Sequence, residues 1–169
     1  MHKTRCWSAL VLVVMMLCPV IVQAQSVKIG GVPSFTIFGN RASIYIPVLT
    51  NTGPGIISSI SAELWAFDSP YNGMSAFGYR LASGQVTTLG FLGGYQSLNN
   101  VNIGNLTFAL PAVGGLKYFS IIITEKRVSS YYALAYWNSP DVMSCDSSIC
   151  IEAPVLTVTT PENGLVTSA

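Results

Sequence analysis

KYFSIIITE, from Lys117 to Glu125, is the stretch whose reading decides the fold. Phe119, Ile121 and Ile123 fall on one side of an extended chain. Tyr118, Ser120, Ile122 and Thr124 fall on the other, the period of two that a β-strand imposes. Glu125-Lys126-Arg127 closes the run with charge, which also guards an aggregation-prone apolar segment.

Working outward from this strand, the rest of the chain alternates short apolar segments with turn formers. Strands are expected at Ser34–Phe38 and Ala42–Leu49, separated by Gly39-Asn40, with Ile44, Ile46 and Val48 on one face. Asn51-Thr52-Gly53-Pro54-Gly55 is the strongest turn, because Gly and Pro supply its backbone angles. Ile56–Phe67 follows, with Ile60, Ala62, Leu64 and Ala66 in one row and Ser59, Ser61, Glu63, Trp65 and Phe67 in the other. Asp68-Ser69-Pro70 and Asn72-Gly73 end it. Further strands are expected at Ala76–Leu81, Val86–Phe91, Val101–Leu110, Tyr131–Trp137 and Val155–Thr159, with Gly93-Gly94 and Pro111–Gly115 as turns. The alternation in Val101–Leu110 slips at Gly104-Asn105, which predicts a bulge. No stretch keeps a helical period. The expectation is an all-β chain, a single antiparallel Ig-like β-sandwich of about seven to nine strands. A closed outer-membrane barrel is the rival, but it asks for segments of about ten residues, and several strands here are shorter.

Residues 1–24 read as a Sec signal peptide. His2, Lys3 and Arg5 make a basic start, Ala9–Val22 an apolar run, and Val22-Gln23-Ala24 a cleavage site after Ala24. The apolar run is shorter than the roughly 20 residues of a membrane-spanning helix. A lipoprotein reading of Cys18 is opposed by bulky Leu17 before it and Pro19 after it. The organisation expected is therefore a signal peptide (1–24), a β-sandwich domain (25–159) and a polar tail (160–169), with no membrane span in the mature chain. Secretion, periplasmic or extracellular, is the expected destination.

Cleavage would change the chemistry. It removes the one histidine, His2, together with Cys6 and Cys18. Six basic and seven acidic side chains remain, a net charge of −1 that offers no footprint for nucleic acid. Without imidazole, a Ser-His-Asp or Cys-His centre is excluded, and two cysteines fall short of a four-ligand zinc site. Gly30-Gly31 and Gly93-Gly94 are turn glycines, not phosphate loops. Glu63 and Glu125 are the candidates for a glycosidase pair, set against the plainer reading that both are sheet-face carboxylates. Asp141, Asp146 and Glu152 are the nearest approach to a calcium cluster. Cys145 and Cys150, in an exported chain, read as a disulfide closing a small loop ahead of Val155–Thr159, not as a redox motif, which needs Cys-x-x-Cys.

The succession "PVLTNTGPG", "ELWAFDSPYNG", "GYRLASG", "LGFLGGY", "FALPAVGGLKYFSIIITE" and "YYALAYWN", from about Ala42 to Asn138, resembles bacterial secreted Ig-like sandwich modules of the cell-adhesion-related, CARDB-like kind. The matching residues are turn formers and core residues, and no catalytic residue comes with them. The resemblance implies a non-enzymatic binding, adhesion or structural role in the cell envelope, without a cofactor, toward an unknown protein or glycan. The loop at 145–150 and the polar tail depart from it.

Trp65 and Phe67 pose the remaining question. If Ile60, Ala62, Leu64 and Ala66 face the core, both aromatics lie outward beside Glu63. If the alternation runs the other way, they fill the core, as large aromatics often do in sandwiches; core or partial burial of Trp65 is the favoured expectation. Tyr71 is expected as a surface anchor in its loop. Trp65, Tyr71, Tyr132 and Trp137 are thus the candidate ligand contacts of a carbohydrate-binding module. A subunit completed by a partner's strand is the further alternative.

Overall fold

The computed structural model describes residues 27–74, 77–128, 130–146 and 150–152. The signal segment with its cleavage site, the strand expected at 155–159 and the tail lie outside the described residues. Within them the chain is all-β, with no helix and eleven strands: β1 (Val27–Gly30), β2 (Ser34–Phe38), β3 (Arg41–Asn51), β4 (Ile57–Ser58), β5 (Ile60–Phe67), β6 (Gly78–Gln85), β7 (Phe91–Leu92), β8 (Ser97–Thr107), β9 (Gly115–Arg127), β10 (Ser130–Cys145) and β11 (Cys150–Glu152). The count exceeds the expected seven to nine. Serine 59, at φ 52°, splits one expected strand into β4 and β5, and short β1 and β11 have too little pattern to read.

All pairings are antiparallel, in two main sheets. In the first, β8 runs along one edge of β3, while β2 and β1 share the other edge end to end. The second has the order β11-β10-β9-β5-β6, and β4 pairs β7 in a small third ladder. The expected bulge is present: Ala42 pairs Leu106 but Ile44 pairs Ile103, so β8 carries one residue more, and Asn105 takes φ 59° there.

The two main sheets pack face to face. Ile44, Ile46 and Leu49 of the first meet Ile60, Leu64, Phe119, Ile121 and Ile123 of the second in one fully buried cluster. Phe35 stacks on Phe119 across the gap, with ring centres 5.5 Å apart. The register explains which way β5 turns. Ala66, Leu64 and Ala62 pair Phe119, Ile121 and Ile123, so β9 supplies bulk on the core side and the alanines of β5 leave room for it. Burying Phe119 matters accordingly; truncating such a ring to alanine costs about 3–5 kcal/mol. Trp65 and Phe67 are thereby turned to the outer face. Trp65 is half-buried there, the partial burial expected of it, and Phe67 is buried; the alternative that put both in the main core is corrected.

At one end, Asn51 is fully buried and organises the expected turn. Its Oδ1 accepts from Gly53 N–H at 3.0 Å, and its Nδ2 donates to the carbonyls of Gly55 (2.7 Å), Leu92 (3.3 Å) and Gly93 (2.9 Å). Gly94 approaches so closely that a Cβ would stand 2.1 Å from the Pro54 carbonyl oxygen. At the other end, Cys145 and Cys150 face each other across the β10–β11 ladder and are joined as a disulfide.

Candidate functional site: an aromatic groove on the outer sheet face

The outward row of β5 is Glu63, Trp65 and Phe67; that of β9 is Ser120, Ile122 and Thr124. Leaving β5 at Asp68, the chain folds back over this face. Lys117 Nζ donates to the Asp68 carboxylate, fixing the start of the crossing. Ser120 Oγ donates to Asn138 Oδ1 at 2.6 Å, and Asn138 Nδ2 donates to the Tyr71 carbonyl at 2.9 Å. Gly73, at φ 84°, lies against the Tyr136 ring.

This crossing makes a second, smaller apolar cluster outside the main core, built from Phe67, Tyr71 and Ile122 with Trp65 and Tyr136 packed on it. Trp65, Phe67 and Tyr71 stack in sequence, with centres 5.9 and 5.1 Å apart, and Tyr136 meets Tyr71 edge-on at 5.0 Å. Tyr71 is only 9% exposed. The expectation of a surface anchor is corrected: its ring is a packing residue, because Phe67 and Tyr136 cover both its face and its edge. Burial, and then the neighbouring Tyr136 phenol, push the Tyr71 hydroxyl pKa above the ordinary tyrosine value.

Beside the cluster the sheet face stays open as a groove of about 470 Å³, within the range of small-ligand sites. Glu63, Trp65, Ile122 and Thr124 form its floor and near wall, Tyr71, Gly73 and Met74 one side, Tyr131, Tyr132 and Ala133 the other. The far wall depends on a bulge. Ala133 pairs Thr124 but Ala135 pairs Ile123, so Leu134 is an extra residue that reverses the facing of β10. Tyr131, on the outward register opposite Lys126, and small Ala133 thereby border the groove. Tyr131 is 54% exposed and Tyr132 48%. The Lys126 ammonium stands 6.0 Å from the Tyr131 ring centre, and the Arg127 guanidinium 5.0 Å from that of Tyr132.

Two polar groups sit under these rings. Glu63 is 2% exposed, and three donors hold its carboxylate: Trp65 Nε1 at 2.9 Å, Arg80 Nη1 at 3.3 Å and Ser83 Oγ at 3.4 Å. The bond from Trp65 also locks the indole in place. Thr124 is 5% exposed and its hydroxyl has no hydrogen-bond partner.

Of the four candidate contacts, the structure brings Trp65, Tyr71 and Tyr132 to one groove. Trp137 lies elsewhere, packed on the main core beside a recess formed with Val32–Phe35, Ser139–Asp141 and Met143. Glu63 and Glu125 do not form a pair. Glu125 shares the register side of Phe119, Ile121 and Ile123, accepts from Ser58 N–H and is bonded by Arg127, whereas Glu63 faces outward. Among the described residues no three Asp, Glu, Cys or His side chains gather in a way that would hold a metal, and Asp141 is exposed at the edge of the Trp137 recess. No helix among them is long and apolar enough to cross a membrane. Thr124 and Tyr131 were not among the candidate contacts. Thr124 was legible as an outward residue of KYFSIIITE, but nothing in the sequence announces the Leu134 bulge that places Tyr131 and Ala133 opposite it.

No family model, curated protein or solved structure matches the chain.

Proposed function

We propose that this protein is an exported, non-enzymatic binding module of the cell envelope, of the Ig-like adhesive kind that its sequence resembles, and that it holds its ligand in the outer-face groove. The observation that carries this reading is the groove itself: aromatic walls, a locked indole and an unpartnered threonine hydroxyl on a rigid sheet. Binding sites combine an apolar lining with a few placed polar groups in this way. Holding without turnover fits the lining, whose single carboxylate, Glu63, is already engaged by three donors. The test is thermal unfolding against a soluble library of oligosaccharides and extended peptides. The reading expects at least one class to raise the melting temperature of the wild type and not of Ala133→Trp, which fills the groove. A library that leaves the wild type unmoved contradicts it.

A second reading has its own support. Among the described residues, β10 is laddered on its outer edge only at Met143–Cys145, where β11 pairs it. An edge of that length is suited to accepting a partner's strand. Size-exclusion chromatography separates the two readings: a stable monomer that binds groove ligands opposes strand completion.

A further inference from the structure

Resting on the groove reading, we infer that the ligand is a neutral carbohydrate, one sugar ring lying against the aromatic walls with a hydroxyl bonded to Thr124.

The ladder narrows the choice. At the groove, Glu63 pairs Ile122 and Ala133 pairs Thr124, so the floor is the face of β5, β9 and β10, and the free edge of β10 lies beyond the Tyr131–Ala133 wall. An extended peptide is gripped chiefly through main-chain hydrogen bonds to an edge. This floor offers side chains only: ring faces and one hydroxyl, the Glu63 carboxylate being already held by its three donors. A pyranose matches that set, since its C–H faces stack on aromatic rings while a hydroxyl exchanges hydrogen bonds with threonine.

Charge narrows it further. Glu63 is the one charged residue lining the groove. Lys126 and Arg127 lie over the Tyr131 and Tyr132 rings at the rim, and Arg127 is bonded to Glu125. The Glu63 charge is already answered by Arg80, and no cation among the described residues lines the groove to pair with an anionic ligand, so the sugar is neutral.

Thr124 supplies the independent observation. A buried hydroxyl without a partner forfeits a hydrogen bond and is rare in a folded protein. Thr124 lines the groove, and a turn of about 120° about its Cα–Cβ bond re-aims the hydroxyl, so that a sugar hydroxyl there can give it the missing partner.

Isothermal titration of the purified protein tests this with two probe sets: neutral di- to hexasaccharides of glucose, galactose and N-acetylglucosamine, and extended peptides of matched length. The expected result is saturable binding of at least one oligosaccharide. Ala133→Trp and Tyr131→Ala each abolish or strongly weaken it, the latter guarding against a folding defect in the former. Thr124→Val weakens it roughly 3- to 10-fold, the worth of one hydrogen bond, while melting no lower than wild type. Thr124→Ser restores it. Peptide binding that is sensitive to Ala133→Trp, with no sugar bound, overturns the carbohydrate inference and leaves the groove reading standing. Sugar binding indifferent to all these substitutions overturns both, as does the absence of any binding. Full affinity in Thr124→Val overturns the role given to that hydroxyl.

Discussion

Asn51 and Tyr71 show how single side chains hold the frame on which the groove depends. The Asn51 carboxamide satisfies backbone groups on both sides of a turn, and no apolar residue can replace it without leaving buried carbonyls unpaired. Asn51→Leu is expected to cost about 3 kcal/mol, read from chemical denaturation midpoints, because each abandoned buried polar group is expensive. A loss below about 0.5 kcal/mol would contradict that account. Tyr71 gives a pH signature. Its folded pKa lies above the unfolded value, for reasons of burial first and Tyr136 second. The unfolded chain therefore releases the proton earlier, near the ordinary value of about 10. The stabilisation is complete below that pH and is lost as pH climbs through it toward the folded pKa. Tyr71→Phe should flatten the decline above about pH 10 in a stability–pH profile; an unchanged slope would show that the phenol is not sheltered.

At the scale of elements, the deciding features are where β9 puts its bulk, where β10 bulges, and what crosses the outer face. The first was legible in the sequence: KYFSIIITE displays its period of two without interruption, and the inward set of β9 is the set read from it. The facing of β5 was not, because Ala62 and Ala66 against Trp65 and Phe67 look like a core row inverted until the pairing of Ala66 with Phe119 is known. Candidate contacts failed where tertiary packing intervened. Tyr71 looked like a loop residue, yet the loop folds onto the sheet. Trp137 lies beyond the Leu134 bulge, on the register of Ile121, and so joins the core. The bulge itself is a cross-strand property that one strand's sequence does not display. The Cys145–Cys150 bridge was legible from its spacing together with the expected export, and it ties only the end of β10. Replacing both cysteines by alanine should lower stability by about 2 kcal/mol or less, the entropy of so short a loop. The groove, framed by the other end of β10, should keep its ligand affinity; loss of binding in that variant would mean that the hairpin and the groove are coupled.

As a whole molecule, this is a sandwich with unlike outer faces. The outer face of the first sheet carries short polar contacts, such as Tyr45 with Asn100 and Thr50 with Ser97. That of the second carries the aromatic cluster, the groove and the orphaned hydroxyl. The main core needs none of these groove residues, so their arrangement is a property of the surface and is free to serve binding. Residue-resolved nuclear magnetic resonance of the isotopically labelled protein, titrated with the neutral oligosaccharides, tests that most directly. The account predicts shifts concentrated at Thr124, Ile122, Ala133, Tyr131 and the Trp65 indole, with Tyr45, Asn100 and Thr50 on the opposite face unmoved. Shifts centred on the opposite face or on the Trp137 recess, or none at saturating sugar, would contradict it.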